Sequence, residues 1–408
     1  MDDRPTRRPA AAAHRPRRST GRLVAVDAAR GLALVGLTTV HFLPAAYPGT
    51  HTPTLSWLLF AGDSAALFAL LAGVGLAFSS GGRRPRSGRD LTAARAGIAA
   101  RALLIASLGL TIGYLMPAEP PAIGILVYYG VYFLLALPFL GLRVRTLLIC
   151  AGGFGLVGTL LVHALGNALP EYPSHNPTFG DLVTQPVAVF WQLLLTGTYP
   201  ALPYMAYVLT GLAIGRLNLH SRRVQGWLLA AGAGLAAVAK LLSWLLLYAT
   251  GGYMTLLYSI ESLTRRQLDD LIVFGPEDTL PTNSLWWLTL STPHVNTPFS
   301  LAWSLGASVA ALGAFLLVAR RFSAWLLPLS AMGAMTLTLY SAQLVLLSFG
   351  LHYTYPLLWC LAALLLSALF ALAWRHAFGQ GPLERVASAA ARAARRAVLA
   401  RPDGGASP

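Results

Sequence analysis

Asp27 and Arg30 stand three positions apart within an apolar run, so on a helix they share one face, with Gly31 beside them. An ionisable side chain in such a run is expensive to keep in lipid and is a functional candidate by default. The planar fork of Arg30 suits an anionic group, such as a phosphate entering from the cytoplasm. The competing reading is an internal ion pair that fixes the helix, with Gly31 allowing another helix to approach. His41 lies near the far end of the same run, His51 follows in a short loop and Asp63 opens the next run. A histidine titrating near neutrality is the cheapest general base, and a carboxylate can orient its ring, so these three form a candidate acid–base group. Read without function, they are satisfied polar residues at helix ends. Lys240 is the chain's single lysine and falls inside another apolar run, where it must snorkel, pair or line a wet cavity.

Several other chemistries are not signalled. A lone lysine inside an apolar run rules out a Walker-type phosphate loop, and the glycines around Gly73 and Gly232 lack the third glycine and the strand context of a dinucleotide fingerprint. There is neither a G-x-S-x-G elbow nor a zincin-spaced histidine pair. Cys150 and Cys360 both lie in apolar runs without C-x-x-C spacing, which argues against a disulfide framework or a thiolate zinc site. The spacing of the acidic residues asks for no metal, and none is predicted.

The elements that must position these residues follow from composition. The 408-residue chain is 56% hydrophobic and only 11% charged, with a mean hydropathy of +0.60, too oily for an ordinary soluble protein. Apolar stretches of about 20 residues, each enough to span a bilayer, occur near 24–44, 56–79, 94–116, 122–142, 145–166, 186–217, 224–250, 298–319, 325–349 and 356–375. The expected fold is therefore all-α, a polytopic membrane helical bundle of about ten transmembrane helices. The sixth stretch is overlong and interrupted by Pro200 and Pro203, which predicts a half-helix followed by a full crossing.

A net charge of +15 would suit nucleic acid only if the cations gathered on one solvated face, and they do not. They fall in clusters between apolar runs, and the alternation places Arg83, Arg84, Arg86, Arg89, Arg95, Arg101, Arg143, Arg145, Arg216, Arg222, Arg223, Arg320, Arg321 and both tails on one side. Only Arg265 and Arg266 fall on the other, so both termini are expected in the cytoplasm. The predicted organisation is a disordered basic tail over 1–22 rather than a signal peptide, a transmembrane domain over 23–376, and a basic tail over 377–408. Ala- and Arg-rich spacing near 382–402 reads as an amphipathic helix on the inner leaflet. Outer loops near 45–55, 167–185 and 251–297, without a helical period of their own, carry Glu171, Asp181, Glu261, Asp269, Asp270, Glu277, Asp278, His51, His175 and His294.

The run VDAARGLALVGLTTVH from Val26 to His41 resembles the opening helix of the YeiB-like membrane proteins, which are related to the catalytic domain of heparan-alpha-glucosaminide N-acetyltransferase. LFALLAGVGLAF (Leu67–Phe78), GTYPALPYMAYVLTGLAIGRL (Gly197–Leu217), MTLTLYSAQ (Met335–Gln343) and FGQGPLE (Phe378–Glu384) resemble later segments of that group, in the same order. The resemblance implies a transmembrane acyltransferase-like fold that uses acyl-CoA, with acetyl-CoA the expected co-substrate, at the cytoplasmic face. It further implies a catalytic histidine in the first outer loop, best matched by His51, and matches Asp27, Arg30 and Gly31 to a D-x-x-R-G motif. His41 stands where the family often has asparagine, so the division of labour between His41 and His51 stays open.

The leading expectation is an acyltransferase of the bacterial plasma membrane, the Ala- and Arg-rich composition pointing to a GC-rich genome. Arg30 would hold the acyl-CoA phosphates, and His51 or His41, supported by Asp63, would deprotonate a hydroxyl or amine. Expected partners are membrane lipid, a glycan or lipid acceptor and, as an allowed assembly, a second copy of the chain; nucleic acid is not among them. The rival is a non-enzymatic transporter in which Lys240, Asp27 and Arg30 form gating pairs at the midplane.

Overall fold

The computed structural model describes residues 24–171, 174–276 and 280–400. The expected tail over 1–22, Glu277, Asp278 and the chain beyond Ala400 lie outside them. Helices α1 (Val24–Phe42), α2 (Leu55–Phe60), α3 (Asp63–Ser79), α4 (Gly88–Gly113), α5 (Leu126–Ala136) and α6 (Val144–Leu165) come first. They are followed by α7 (Phe179–Thr184), α8 (Pro186–Trp191), α9 (Ala201–Gly215), α10 (Arg222–Trp244), α11 (Gly252–Tyr258) and α12 (Arg265–Phe274). The last five are α13 (Pro298–Phe322), α14 (Leu327–Gly333), α15 (Thr336–Ser348), α16 (Pro356–Phe378) and α17 (Pro382–Ala400).

The protein is an all-helical membrane protein. Among the described residues, seven helices are long and apolar enough to cross a membrane: Val24–Phe42, Leu55–Ser79, Gly88–Gly113, Val144–Leu165, Arg222–Ala249, Pro298–Phe322 and Pro356–Phe378. The count rises to eight if α14 and α15, bent by 78° to each other, form one span. All ten predicted stretches contain helix, but 122–142 holds only the shorter Leu126–Gly141, and 186–217 holds two short helices. That break has a local cause. The chain leaves α8 through a π-helical turn at Gln192–Thr196, and α9 restarts after Pro200, which cannot donate to a continued ladder.

Small residues let the spans approach. A Cβ built on Gly31 would lie 2.1 Å from Leu329 O, and one on Gly333 only 1.7 Å from Asp27 O, so α1 and α14 cross backbone to backbone. Gly73 and Gly211 play the same part between α3 and α9, and Gly232 and Gly306 between α10 and α13. Gly333→Ala is therefore expected to force α1 and α14 apart and to cost about 1–3 kcal/mol. Thermal unfolding in detergent checks this. Gly153→Ala, where nothing lies within 4 Å of the added carbon, should leave the midpoint in place, and equal behaviour of the two variants would refute the close crossing.

The stretch 251–297 is not without helical structure, contrary to the sequence expectation. Helices α11 and α12 and a 3-10 turn at Leu285–Thr289 enclose a small core of Leu256, Leu268, Trp287 and Leu290. The start of α12 is a capping box in which Thr264 Oγ1 accepts from Gln267 N and the Gln267 side chain accepts from Thr264 N. This cap sits at the end of the bundle that carries His41: Trp57 Nε1 donates to Val273 O at 3.1 Å. At the opposite end, the one that carries Arg30, α17 docks on the bundle. Glu384 Oε1 accepts from Leu337 N at 2.7 Å and Thr338 N at 3.1 Å, capping α15, and the Arg395 side chain lies against Gly97 of α4.

Candidate active site

Two cavities enter the bundle along α1. The first, about 370 Å³, lies at the His41 end and is lined by His41, Thr196, Tyr199 and His294, with His163 and His175 farther round its wall. The second, about 220 Å³, lies at the Arg30 end and is lined by Arg30, Arg101, Tyr129, Tyr340 and Glu384. Leu37, one turn before His41 on α1 and 4% exposed, lines both, so the two spaces abut at a thin partition. Tyr340 belongs to the same partition: it lines the second cavity, and its ring centroid is 6.5 Å from that of His41.

His41 is held by the buried side of α15. The Gln343 amide stands 3.1 Å from His41 Nδ1, and its other end lies 2.8 Å from Thr38 Oγ1, one helical turn before His41 on α1. His294 reaches the same cavity from the loop between the 3-10 turn and α13. It has φ +62°, and Asn296 has φ +53°, a left-handed conformation that costs a non-glycine residue of order 1–3 kcal/mol and persists only where the surroundings enforce it. Its ring packs edge-on against Tyr199 at 5.7 Å, and Nδ1 is buried with no hydrogen-bond partner among the described residues. Burial pushes the His294 imidazole down to about 4, so it is neutral at physiological pH and keeps a lone pair. Thr196 Oγ1, from the π-helical turn, is likewise buried with no hydrogen-bond partner among the described residues.

The structure separates the histidines named from sequence. His51 lies outside the cavity lining, 52% exposed, with Nδ1 2.9 Å from Asp270 Oδ1 of α12. The expected pairing of Asp63 with a histidine does not form. Asp63 Oδ2 accepts from Trp303 Nε1 at 3.0 Å and Oδ1 from Ser304 Oγ, both on α13. Lys240 Nζ lies 5.3 Å from the Trp303 ring centroid and lines neither cavity.

At the other end, Arg30 is both paired within α1 and placed against a cavity. Nη1 pairs with Asp27 Oδ1 at 3.2 Å and Nη2 donates to Leu71 O at 3.2 Å, while the side chain still lines the second cavity. Gly31 is where α14 crosses, so the D-x-x-R-G segment combines packing with a cavity-facing cation. Arg101 joins Arg30 there, with Nε buried and no hydrogen-bond partner among the described residues; Tyr129 Oη is in the same condition. Two guanidinium groups line this one small cavity, a donor set whose chemistry suits an anion. Arg101 was assigned from sequence to the cationic side of the bundle, although its position inside the 94–116 apolar run was the signal that marks an intramembrane functional charge. Among the described residues no cluster of three or more His, Cys, Asp or Glu side chains could hold a metal.

The family described as heparan-alpha-glucosaminide N-acetyltransferase, catalytic, matches residues 22–250 of this chain. That span covers Arg30, His41, Arg101, Tyr129 and Thr196 and about two thirds of the lining of each cavity, and leaves the lining residues His294, Tyr340 and Glu384, and Gln343 behind His41, beyond it. No curated protein matches the chain significantly. With a match over more than half of its length, the chain belongs to the family of heparan-alpha-glucosaminide N-acetyltransferase catalytic domains.

Proposed function

We propose that the protein is a transmembrane acyltransferase of the bacterial plasma membrane, of the YeiB-like branch, moving an acetyl group from cytoplasmic acetyl-CoA to an extracytoplasmic hydroxyl or amine. In this reading the chain crosses about ten times with both termini in the cytoplasm, the Arg30 cavity opens inward and the His41 cavity outward. The observation that carries it is the pair of cavities, one cationic and one bearing histidines, that abut at Leu37.

Length supports the assignment. Arg30 and His41 are eleven residues apart on α1, which is about 16 Å along a helix. The pantetheine arm, from its phosphorus to its sulfur, is a chain of about thirteen bonds, which spans about 16 Å when extended at the rise of an extended backbone. A phosphate gripped at Arg30 and Arg101 would thus have the reach to carry its thioester past Leu37 to the level of His41. The 220 Å³ of the inner cavity is smaller than a pocket for a whole nucleotide, so the slender arm enters while the adenosine stays at the surface.

At the partition, His41 takes the proton of the acceptor hydroxyl or amine as its oxygen or nitrogen attacks the thioester carbonyl carbon. The new C–O or C–N bond forms, the C–S bond breaks, and the departing thiolate receives the proton from His41, giving acetylated acceptor and free CoA. His294 and Thr196 offer free polar atoms to the acceptor in the outer cavity. A glycan or lipid-borne hydroxyl fits that description.

The transporter alternative draws less support from this geometry, because Lys240 sits with Trp303 and Asp63 whereas Asp27 and Arg30 pair on α1. The test is release of CoA thiol from acetyl-CoA by purified protein in proteoliposomes, with acceptor candidates enclosed. Wild type is expected to bind acetyl-CoA saturably and turn it over, and His51→Ala to keep both within about twofold, as His51 is exposed and lies outside both cavities. Well-folded protein that binds neither acetyl-CoA nor longer acyl-CoAs would end the acyltransferase reading.

A further inference from the structure

Thr38 Oγ1 lies 2.8 Å from Leu34 O and 2.8 Å from the Gln343 amide, at the end away from His41. A hydroxyl owns one hydrogen, so both contacts are hydrogen bonds only if one neighbour donates. The Leu34 carbonyl has nothing to donate; the Gln343 amide does. The Thr38 hydrogen therefore goes to Leu34 O, as is common for a helical threonine and the carbonyl four residues back, and the Gln343 NH2 group donates to Thr38 Oγ1. The structure sets Oε1 toward Thr38 and Nε2 toward His41 Nδ1 at 3.1 Å; the opposite setting of the amide, the one that gives both Thr38 contacts a hydrogen, brings the carbonyl oxygen to His41 Nδ1. An acceptor at that distance requires a proton on Nδ1.

We infer that Gln343 is the positioning residue of the outer cavity, holding His41 as the Nδ1–H tautomer so that Nε2 is the basic nitrogen. The inference rests on the acyl-transfer reading for its use, though not for its geometry. Gln343 is 7% exposed, both ends of its amide are engaged, and Thr38 is 4% exposed, so water is excluded from the relay that sets its orientation. The chain Leu34–Thr38–Gln343–His41 thus carries the direction of one helix carbonyl to an imidazole, through two side chains that never meet the acceptor. Gln343 belongs to the segment MTLTLYSAQ and lies beyond the residues matched by the family.

The experiment is 15N NMR of the full chain labelled at histidine, with the His41 signals assigned by their loss in His41→Gln. Wild type is expected to show an unprotonated Nε2 and a protonated Nδ1. Gln343→Leu and Thr38→Val should each lose that bias, whereas Gln343→Glu, which keeps an acceptor, and Thr38→Ser, which keeps the hydroxyl, should retain it. In turnover, Gln343→Leu should lower kcat about 10- to 100-fold with KM for acetyl-CoA unchanged, and should add nothing to the loss in His41→Gln. A protonated Nε2 in wild type, or an unaltered tautomer in both Gln343→Leu and Thr38→Val, overturns the inference. The expected tautomer in a protein that never turns over an acyl-CoA would leave Gln343 its role and sink the transfer reading instead; turnover with the opposite tautomer would do the reverse.

Discussion

His41→Ala is expected to lower acetyl transfer by about 10²–10⁴-fold while leaving acetyl-CoA binding close to wild type, since a positioned general base is worth that much and touches only the reacting atoms. The expectation follows from placement. His41 lines the outer cavity next to the partition at Leu37, within ring contact of Tyr340 from the inner cavity, whereas His51 is exposed and engaged with Asp270. His294 shares the cavity and keeps a lone pair, so the same assay on His294→Ala separates the two roles. A loss confined to the KM of the acceptor marks His294 as a binding group. If instead His294→Ala abolished transfer and His41→Ala did not, the base would have to be reassigned.

The second large effect concerns the donor. Arg101→Gln is expected to weaken acetyl-CoA binding about 10- to 100-fold, the equivalent of losing one charge-assisted hydrogen bond of roughly 1.5–3 kcal/mol to a phosphate. Arg101 is the cleaner probe of the inner cavity because its Nε has no hydrogen-bond partner among the described residues, while Arg30 also neighbours a buried carboxylate. Removing Arg30 alone would leave the Asp27 charge without that cation and confound binding with stability. The double variant Arg30→Gln/Asp27→Asn avoids this and should show a similar loss of affinity. Calorimetry across an ionic-strength series reads both. Unchanged affinity in Arg101→Gln and in the double variant would remove the anion site from the inner cavity.

Much of the architecture was readable along the chain because hydropathy is a one-dimensional property. A run of apolar residues long enough to cross lipid must satisfy its backbone within itself, and so becomes a helix whatever its neighbours do. Each apolar stretch read from sequence accordingly contains helix, and the break in the sixth was written in Pro200. The cost of a charge in such a run likewise singled out Asp27 and Arg30 before any contact was known, and the same rule applied to Arg101 would have found the second guanidinium. Hydropathy did not reveal α11 and α12, because short amphipathic helices that close their own small core leave no lipid-length run; the capping box from Thr264 to Gln267 was their one local mark.

The chemistry was decided elsewhere, by residues that meet only when the bundle closes. Thr38 and Gln343 are 305 positions apart, Asp63 and Trp303 240, and His51 and Asp270 219. Each of these contacts redirects a polar group whose local surroundings allow several roles. Asp63 is drawn to α13 and away from the histidines, His51 to the cap and away from the cavity, and His41 is oriented by a helix that sequence alone could not place beside it. The sequence by itself determined which segments are apolar helices and which charges are costly within them, since both follow from transfer of a short segment out of water. Only the tertiary structure decided which histidine lines the cavity beside Leu37 and which side chain meets its imidazole, because a cavity and a hydrogen-bond relay belong to no single segment.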